Sequence, residues 1–453
     1  MSCCVRWGVT SLCFGLSLLL LASERVTAQI EFESEPVNYN TAPTNNPVFR
    51  LQKLLDTGEL TLSHDEHYGY LPSVLDALKI PKSSQMLVFS QTSFQLRRIA
   101  PSHPRAVYFG DNTYIGWVQD GDVLEMSTVD PHQGAIFYTL DQTENPEPRF
   151  VRDRGQCITC HASSRTQGVP GHLVRSVFPD LNGRPLLGSG TFVTDHRSPF
   201  EKRWGGWYVS GTHGQMRHMG NAIARDRGNP EDLDREAAAN VSDLSNLVNV
   251  RPYLSPHSDL VALMVIEHQS QMHNFITNAN YEARSALHYD GVMNKALDRP
   301  DNYKSDTTIR RLAKASERLV QYMLFVDEFK LTSPVQGTSE FAAEFAARGI
   351  RDKEGRSLRD FDLQRRLFKY PCSYLVYSDA FMTLPDPIKH RVYGRLHDVL
   401  AGVDQSPEFA HLSSTDRQAI RAILNDTHAE FHAASAERPP VTGSAVGDEA
   451  LGS

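Results

Sequence analysis

Residues 105–140 read RAVYFGDNTYIGWVQDGDVLEMSTVDPHQGAIFYTL. Four short runs rich in Val, Ile, Tyr and Phe are divided by Gly, Asn, Asp and Pro, the pattern of successive β-strands joined by turns. With MLVFS at 86–90 they predict an antiparallel sheet between about residues 85 and 140. Upstream, VFRLQKLLDTG (48–58) and SVLDALK (73–79) space their apolar residues as helices do. Downstream, helical periodicity dominates from about residue 257. DLVALMVIEHQSQMHNFITNANYEARSAL (259–287) is a long helix preceded by a Ser-Pro-His-Ser start signal. TTIRRLAKASERLVQYMLFVDEF (307–329), LPDPIKHRVYGRLHDVLAG (384–402) and TDRQAIRAILNDTHAEFHAA (415–434) follow it. The sheet precedes the helices instead of alternating with them, so the expected class is α+β, with a mainly helical C-terminal half.

The expected layout has six parts. Residues 1–28 are a secretory signal: one basic residue, Arg6, then an apolar run from about Leu12 to Ala22, then Val26-Thr27-Ala28 with cleavage after Ala28. That run falls short of the ~20 residues needed to span a bilayer, so the protein is expected to be exported to the periplasm or beyond and not to span a membrane. Residues 29–48 are polar and read as a flexible arm, 49–145 as small helices plus the sheet, and 146–255 as the segment that carries the chemistry. Residues 256–434 are the helical region, and 435–453, rich in Ala, Glu, Pro, Gly and Ser, a disordered tail.

The chemistry is concentrated in RDRGQCITCHASSRTQGVPGHL (152–173). Of six cysteines, Cys3, Cys4 and Cys13 leave with the signal, and the mature chain keeps Cys157, Cys160 and Cys372. Three thiols make no disulfide framework, and Cys372, among apolar residues, reads as a buried structural thiol. A structural zinc site wants two Cys/His pairs, and the spacing supplies no second one. A thioredoxin-like switch wants CxxC opening a helix within a βαβ unit, which the flanks lack. CxxCH is also the attachment signal for c-type haem. Two thiols add to the haem vinyl groups, the two-residue spacer sets their separation, and the next histidine reaches the iron. The cofactor expected is one haem c on Cys157 and Cys160, with His161 as proximal ligand. Attachment takes place outside the cytoplasm, so the export signal and the motif agree.

A sixth iron ligand decides between electron transfer and ligand chemistry. GTHGQMRHMGN (211–221) offers His213, Met216, His218 and Met219. On the long helix, Met264, His268 and Met272 share a face, and His172 lies close after the motif. The GTHGQMRHMGN segment is favoured, with Met219 and His218 ahead; the plainer reading is core packing for the helix stripe, and a surface position or a hydrogen bond to a haem propionate for His213 and His218. Charge is uneven. The chain has 46 Lys+Arg against 54 Asp+Glu, yet residues 149–228 hold 12 basic residues and 5 acidic ones. Arg154, Arg165, Arg175, Arg203 and Arg217 in that belt are candidates to neutralise haem propionates or to dock an acidic redox partner. An exported, net acidic chain is not expected to bind nucleic acid. Trp204, Trp207 and Tyr208 are candidate pocket walls, with core packing the alternative.

The segments CITCHASSRTQGVPGHLVRSVFPD (157–180), GTFVTDHRSPFEKRWGGWYVSGTHGQMRHMGN (190–221) and YPCSYLVYSDAF (370–381) resemble a group of exported bacterial proteins known only for carrying a single CxxCH cytochrome c domain. The resemblance implies covalent haem at Cys157, Cys160 and His161, iron binding and electron transfer, and implies no substrate. Small cytochromes c begin with a helix bearing the motif. Here a sheet comes first, so the haem is expected within a larger α+β body. The first expectation is a monohaem electron carrier. The alternatives are a haem oxidoreductase acting on a peroxide or nitrogen oxide at an open sixth position, and a haem-based sensor or binding module.

Overall fold

The computed structural model describes residues 32–436; the expected signal and residues 437–453 of the tail lie outside the described residues. Helices α1 (Pro47–Asp56) and α2 (Leu71–Ala77) precede a sheet of β1 (Met86–Val88), β2 (Arg105–Phe109), β3 (Thr113–Trp117), β4 (Val123–Asp130), β5 (Gly134–Asp141) and β6 (Phe150–Arg152). The six strands pair in sequence order, each antiparallel to the next. The motif forms a single turn, α3 (Ile158–His161), followed by β7 (Val174–Val177), β8 (Thr191–Thr194) and the short β9 (Gly211–Thr212). Then come α4 (Leu260–Ala296), α5 (Asp306–Met323), β10 (Gln336–Gly337), α6 (Phe341–Ala347), α7 (Asp379–Met382), α8 (Asp386–Leu400), α9 (Ser414–Thr427) and α10 (Ala429–Ala436). The class is α+β, with the helices gathered mostly in the C-terminal half.

Strand pleating sends alternate side chains to opposite faces. One face presents Tyr108, Ile115, Leu124, Met126 and Leu140 to a core shared with Leu51, Val74 and Leu75 of α1 and α2. The other carries Phe109, Tyr114 and Val129 into the core built around α4. It also displays Gly116, Glu125, Ser127 and Phe137, which register across β3, β4 and β5. This second face is the floor of the motif.

Every residue of α4 from Leu260 to Thr277 is buried, polar ones included. A helix buried on all sides must place its polar groups against partners, and α4 does. Gln269 Nε2 donates to the Gly110 carbonyl and to Tyr114 Oη, both at 2.9 Å, tying the helix to the β2–β3 turn. Gln271 Nε2 donates to the Arg165 carbonyl at 3.0 Å, and Asn274 bonds both backbone groups of His172. Tyr281 Oη donates to the Gln133 carbonyl at 2.8 Å at the β4–β5 turn. The helix therefore bolts the sheet to the motif segment.

Three expectations are corrected. The arm is not loose over its described part: Phe32, Val37 and Tyr39 are buried, and Tyr39 Oη donates to the Ala135 carbonyl at 2.7 Å. The first sheet was expected to end at about residue 140, with β5, but FVR at 150–152 adds β6 at the sheet edge, held further by Phe150 N–H on Gln52 Oε1. The third correction is the extent of the long helix: it starts where expected, at Asp259, whose carboxylate accepts from the Val261 and Ala262 N–H groups. It runs nine residues further than the apolar pattern predicted. Among the described residues no helix is long and apolar enough to cross a membrane.

At the edge of the helical half, Phe325, Glu328, Phe329, Arg365, Arg366 and His411 help line a cavity of about 510 Å³. Burial pushes the Glu328 carboxyl up to about 7, while the bond from Leu367 N–H and the Arg366 charge act the other way. Below about pH 4.5 this group is protonated in both folded and unfolded chains. Between there and about 7 the folded chain keeps a proton that the unfolded chain has released, so its contribution to stability falls as pH rises. Glu328→Gln, nearly isosteric and uncharged, is expected to flatten the urea-unfolding free energy across that window.

Candidate haem-attachment site

Strand β6 delivers the chain to Asp153, whose carboxylate accepts from the N–H groups of Gly155, Gln156 and Cys157 at 3.1, 3.3 and 2.9 Å. This Asx-type closure folds the next residues into α3. His161 N–H then donates to the Cys157 carbonyl at 3.0 Å. Cys157 is half-buried and Cys160 exposed, and neither is in a disulfide. Burial, followed by the Asp153 carboxylate, pushes the Cys157 thiol up to about 12.

Beyond α3, a capping box at Ser163–Thr166 and left-handed Gln167 and Gly168 turn the chain back. Gly171 N–H reaches the His161 carbonyl at 2.8 Å. A Cβ on Gly171 would meet Asn274 Oδ1 at 2.2 Å, so α4 comes closer here than any side chain permits. Asn274 Oδ1 accepts from His172 N–H at 2.8 Å, and its Nδ2 donates to the His172 carbonyl at 2.7 Å. So clamped, the Gly171 carbonyl stands 3.0 Å from His161 Nδ1.

A carbonyl only accepts, so Nδ1 carries the ring proton and Nε2 keeps a free lone pair. Burial, the larger influence, pushes the imidazole pKa below its usual value, against the raising effect of the Gly171 bond. The ring is thus held neutral in one tautomer, with Phe137 of the sheet floor 4.8 Å away between ring centres. A metal-bound histidine is oriented in this way, its other nitrogen donating to a backbone carbonyl. Asn274→Leu strands two buried backbone groups of His172. Urea unfolding is expected to show a loss of about 1–3 kcal/mol for each, and the His161 Nδ1–H resonance to lose its protection from exchange.

The other readings of CxxC meet the same geometry. A thiol switch needs a thiol of lowered pKa, and that of Cys157 is raised. A structural zinc site needs about four converging ligands; among the described residues no group of three or more His, Cys, Asp and Glu side chains is arranged to hold a metal ion. Covalent haem asks the chain for two unpaired thiols and one neutral imidazole with a free Nε2, and the residues present fit it.

The remaining candidates separate. Arg165 and Arg175 flank the motif: the fields of Arg165 and of the Cys160 sulfur both act on the Arg175 guanidinium, which donates from Nε to Thr191 Oγ1. Trp207 Nε1 donates to the Arg175 carbonyl at 2.8 Å. Arg154 is exposed. Arg203 is buried and pairs with Glu267 at 3.1 Å, and Arg217 forks onto Glu236. Both ring nitrogens of His213 are engaged, Nδ1 donating to the Met216 carbonyl and Nε2 accepting from Asn240 N–H. His268 bonds His196 and Ser373, each at 2.8 Å. His218 packs on Trp204 and Phe200, and Met216 joins the core of α4. Met219 Sδ accepts from Ser176 Oγ at 3.7 Å. His172 lies within the fields of His273 and, less strongly, His161; its Nδ1 bonds Ser127 Oγ, and its Nε2 is buried with no hydrogen-bond partner.

Gly171 and Asn274 escaped the sequence reading. Only the Gly at 171 left a local signal, beside Pro170 in a turn-like stretch. No family model matches the chain, and no curated protein and no solved structure matches it.

Proposed function

We propose that this chain is an exported monohaem c-type cytochrome that passes one electron at a time to a partner protein. Cys157 and Cys160 would hold the haem by thioethers and His161 would ligate its iron through Nε2. The observation that carries the reading is the Gly171 carbonyl on His161 Nδ1, which fixes the tautomer that ligation requires. Haem, when bound, supplies a reversible one-electron couple whose potential follows its axial ligands and surroundings. The chain's residues do the rest. Asn274 holds the carbonyl that orients His161, and Phe137 packs on the imidazole. Arg165 and Arg175 place positive charge beside the exposed Cys160, a docking feature for an acidic redox partner.

A second reading, a haem oxidoreductase acting on a peroxide or nitrogen oxide, draws support from one observation: both ring nitrogens of His213 and of His268 are engaged, which withdraws these two candidates for a sixth bond. The two are separated by expressing the chain with c-haem maturation machinery and recording oxidised and reduced spectra with and without carbon monoxide. Haem that resists acid–acetone extraction and ignores carbon monoxide supports the carrier. Haem that shifts with carbon monoxide supports the oxidoreductase, and haem that extracts freely overturns both.

A further inference from the structure

Arg105, on β2, projects onto the sheet floor beneath the motif. Its guanidinium lies against Gly116 of β3, where a Cβ would come within 2.1 Å of Nη2 and 2.3 Å of Nε. A glycine in mid-strand weakens the strand and marks a close approach; here the space it leaves is filled by the guanidinium. Nη2 pairs with Glu125 Oε2 at 3.1 Å, and both side chains are largely enclosed. Glu125 is held in turn by Gln95, whose backbone N–H and Nε2 both reach Oε1 at 3.2 Å. Arg105 Nε is buried and has no acceptor. A buried N–H of a charged group left without a partner is costly, and here it marks a place for an acceptor.

The charges of Arg105 and Glu125 act on both Cys157 and His161. Ser127, two residues along β4 on the same face, holds His172, and Phe137 beside it holds His161. The guanidinium therefore lies within electrostatic reach of the residues that would anchor a haem ring, Cys157 and His161. Such a ring brings carboxylates, and a guanidinium edge is suited to carboxylate.

We propose that Arg105, seated on Gly116 and steadied by Glu125, is the binding site for a haem propionate. This rests on the haem reading above and assigns the role to a residue outside the basic belt around the motif. Arg105 is a positioning residue: it takes the carboxylate through Nε–H and balances its charge, while Glu125 limits how much positive charge remains for the iron to feel.

The test uses full-length holoprotein, with covalent haem in the wild type established first. Arg105→Gln removes a cation beside the haem and is expected to lower the midpoint potential, raising the oxidised-to-reduced ratio at fixed potential by about tenfold, or about 59 mV for one electron. Glu125→Gln is expected to move it the opposite way. The resonance Raman propionate-bending band is expected to shift in Arg105→Gln and in Gly116→Ala, whose methyl group displaces the guanidinium. In Arg391→Gln, a change at an exposed site on α8, it stays in place. Should Arg105→Gln fail to fold, Arg105→Lys and Glu125→Gln carry the test. A haem-loaded wild type whose potential and propionate band ignore all these changes overturns the proposal and leaves the haem reading standing. A wild type that takes no covalent haem overturns both.

Discussion

Protein carrying Cys157→Ala and Cys160→Ala together is expected to lose covalent haem completely, with acid–acetone leaving none on the chain, while the fold survives. The second half follows from where the thiols sit. Cys160 is exposed, and Cys157 is a half-buried neighbour of the sheet core, not a member of it. Exposed changes usually stay within about 0.5 kcal/mol, and removing one partly enclosed sulfur adds little. Urea unfolding of the haem-free double variant should fall within about 1 kcal/mol of haem-free wild type. Cys160→Ala alone should keep one thioether and a reduced spectrum displaced from that of the wild type. Full haem retention in the double variant would refute thioether attachment at this motif.

Arg203→Leu is expected to cost about 3–5 kcal/mol of folding stability, read as a lower urea midpoint with little change in slope. Arg203 and Glu267 are both almost fully enclosed, at 3% and 0% side-chain exposure, and meet at 3.1 Å. The guanidinium also donates to the His196 and Ser198 carbonyls. Burial pushes the Glu267 carboxyl up to about 7, with Arg203 the main influence pulling it back. Without Arg203 that carboxyl rises further and holds its proton to higher pH in the folded chain. The sign follows: between the ordinary glutamate range and the raised folded value, stability falls as pH rises. The variant's deficit should therefore widen above pH 7. Replacing Glu267 with leucine as well should recover most of the loss, since a buried pair exchanged for apolar groups is often neutral.

How much of this was legible in the chain depended on sequence distance. Strands β2 to β5 stand out because each is a β-branched and aromatic run with a turn signal at either end. Strand β6 does not, since three residues after a Pro-containing polar link carry no period of their own; its pairing with β5 and Gln52 makes it a strand. The arm hid its packing for a similar reason. Phe32, Val37 and Tyr39 are sparse among polar residues, and the partner of the Tyr39 hydroxyl is 96 residues away. The apolar pattern of α4 faded before its end, and the burial of every residue from Leu260 to Thr277 could not be foreseen, because the partners of Glu267, Gln269, Gln271 and Asn274 lie far away along the chain.

The motif itself was legible as CITCH, a signal contained in five residues. What makes it competent was not. The carbonyl that sets the His161 tautomer is local, but the side chain that aims it, Asn274, comes from α4. The floor beneath it comes from three strands, and Arg105 joins it only because Gly116 on the neighbouring strand lacks a side chain. The basic belt drew attention to Arg203 and Arg217 by proximity along the chain, yet Glu267 and Glu236 had already claimed them.

The clamp on the Gly171–His172 peptide joins residues 102 positions apart. A chain synthesised from its N-terminus shows the two thiols as a linear peptide well before residue 274 exists to close over them. Any machinery that modifies Cys157 therefore works best in that interval, before burial and Asp153 suppress its thiolate. The final bearing of the His161 ring is a late event, set when α4 docks. Its protected Nδ1–H would then serve as a timestamp in refolding experiments, separating chains that have merely formed the sheet from those that have locked it to the helical half.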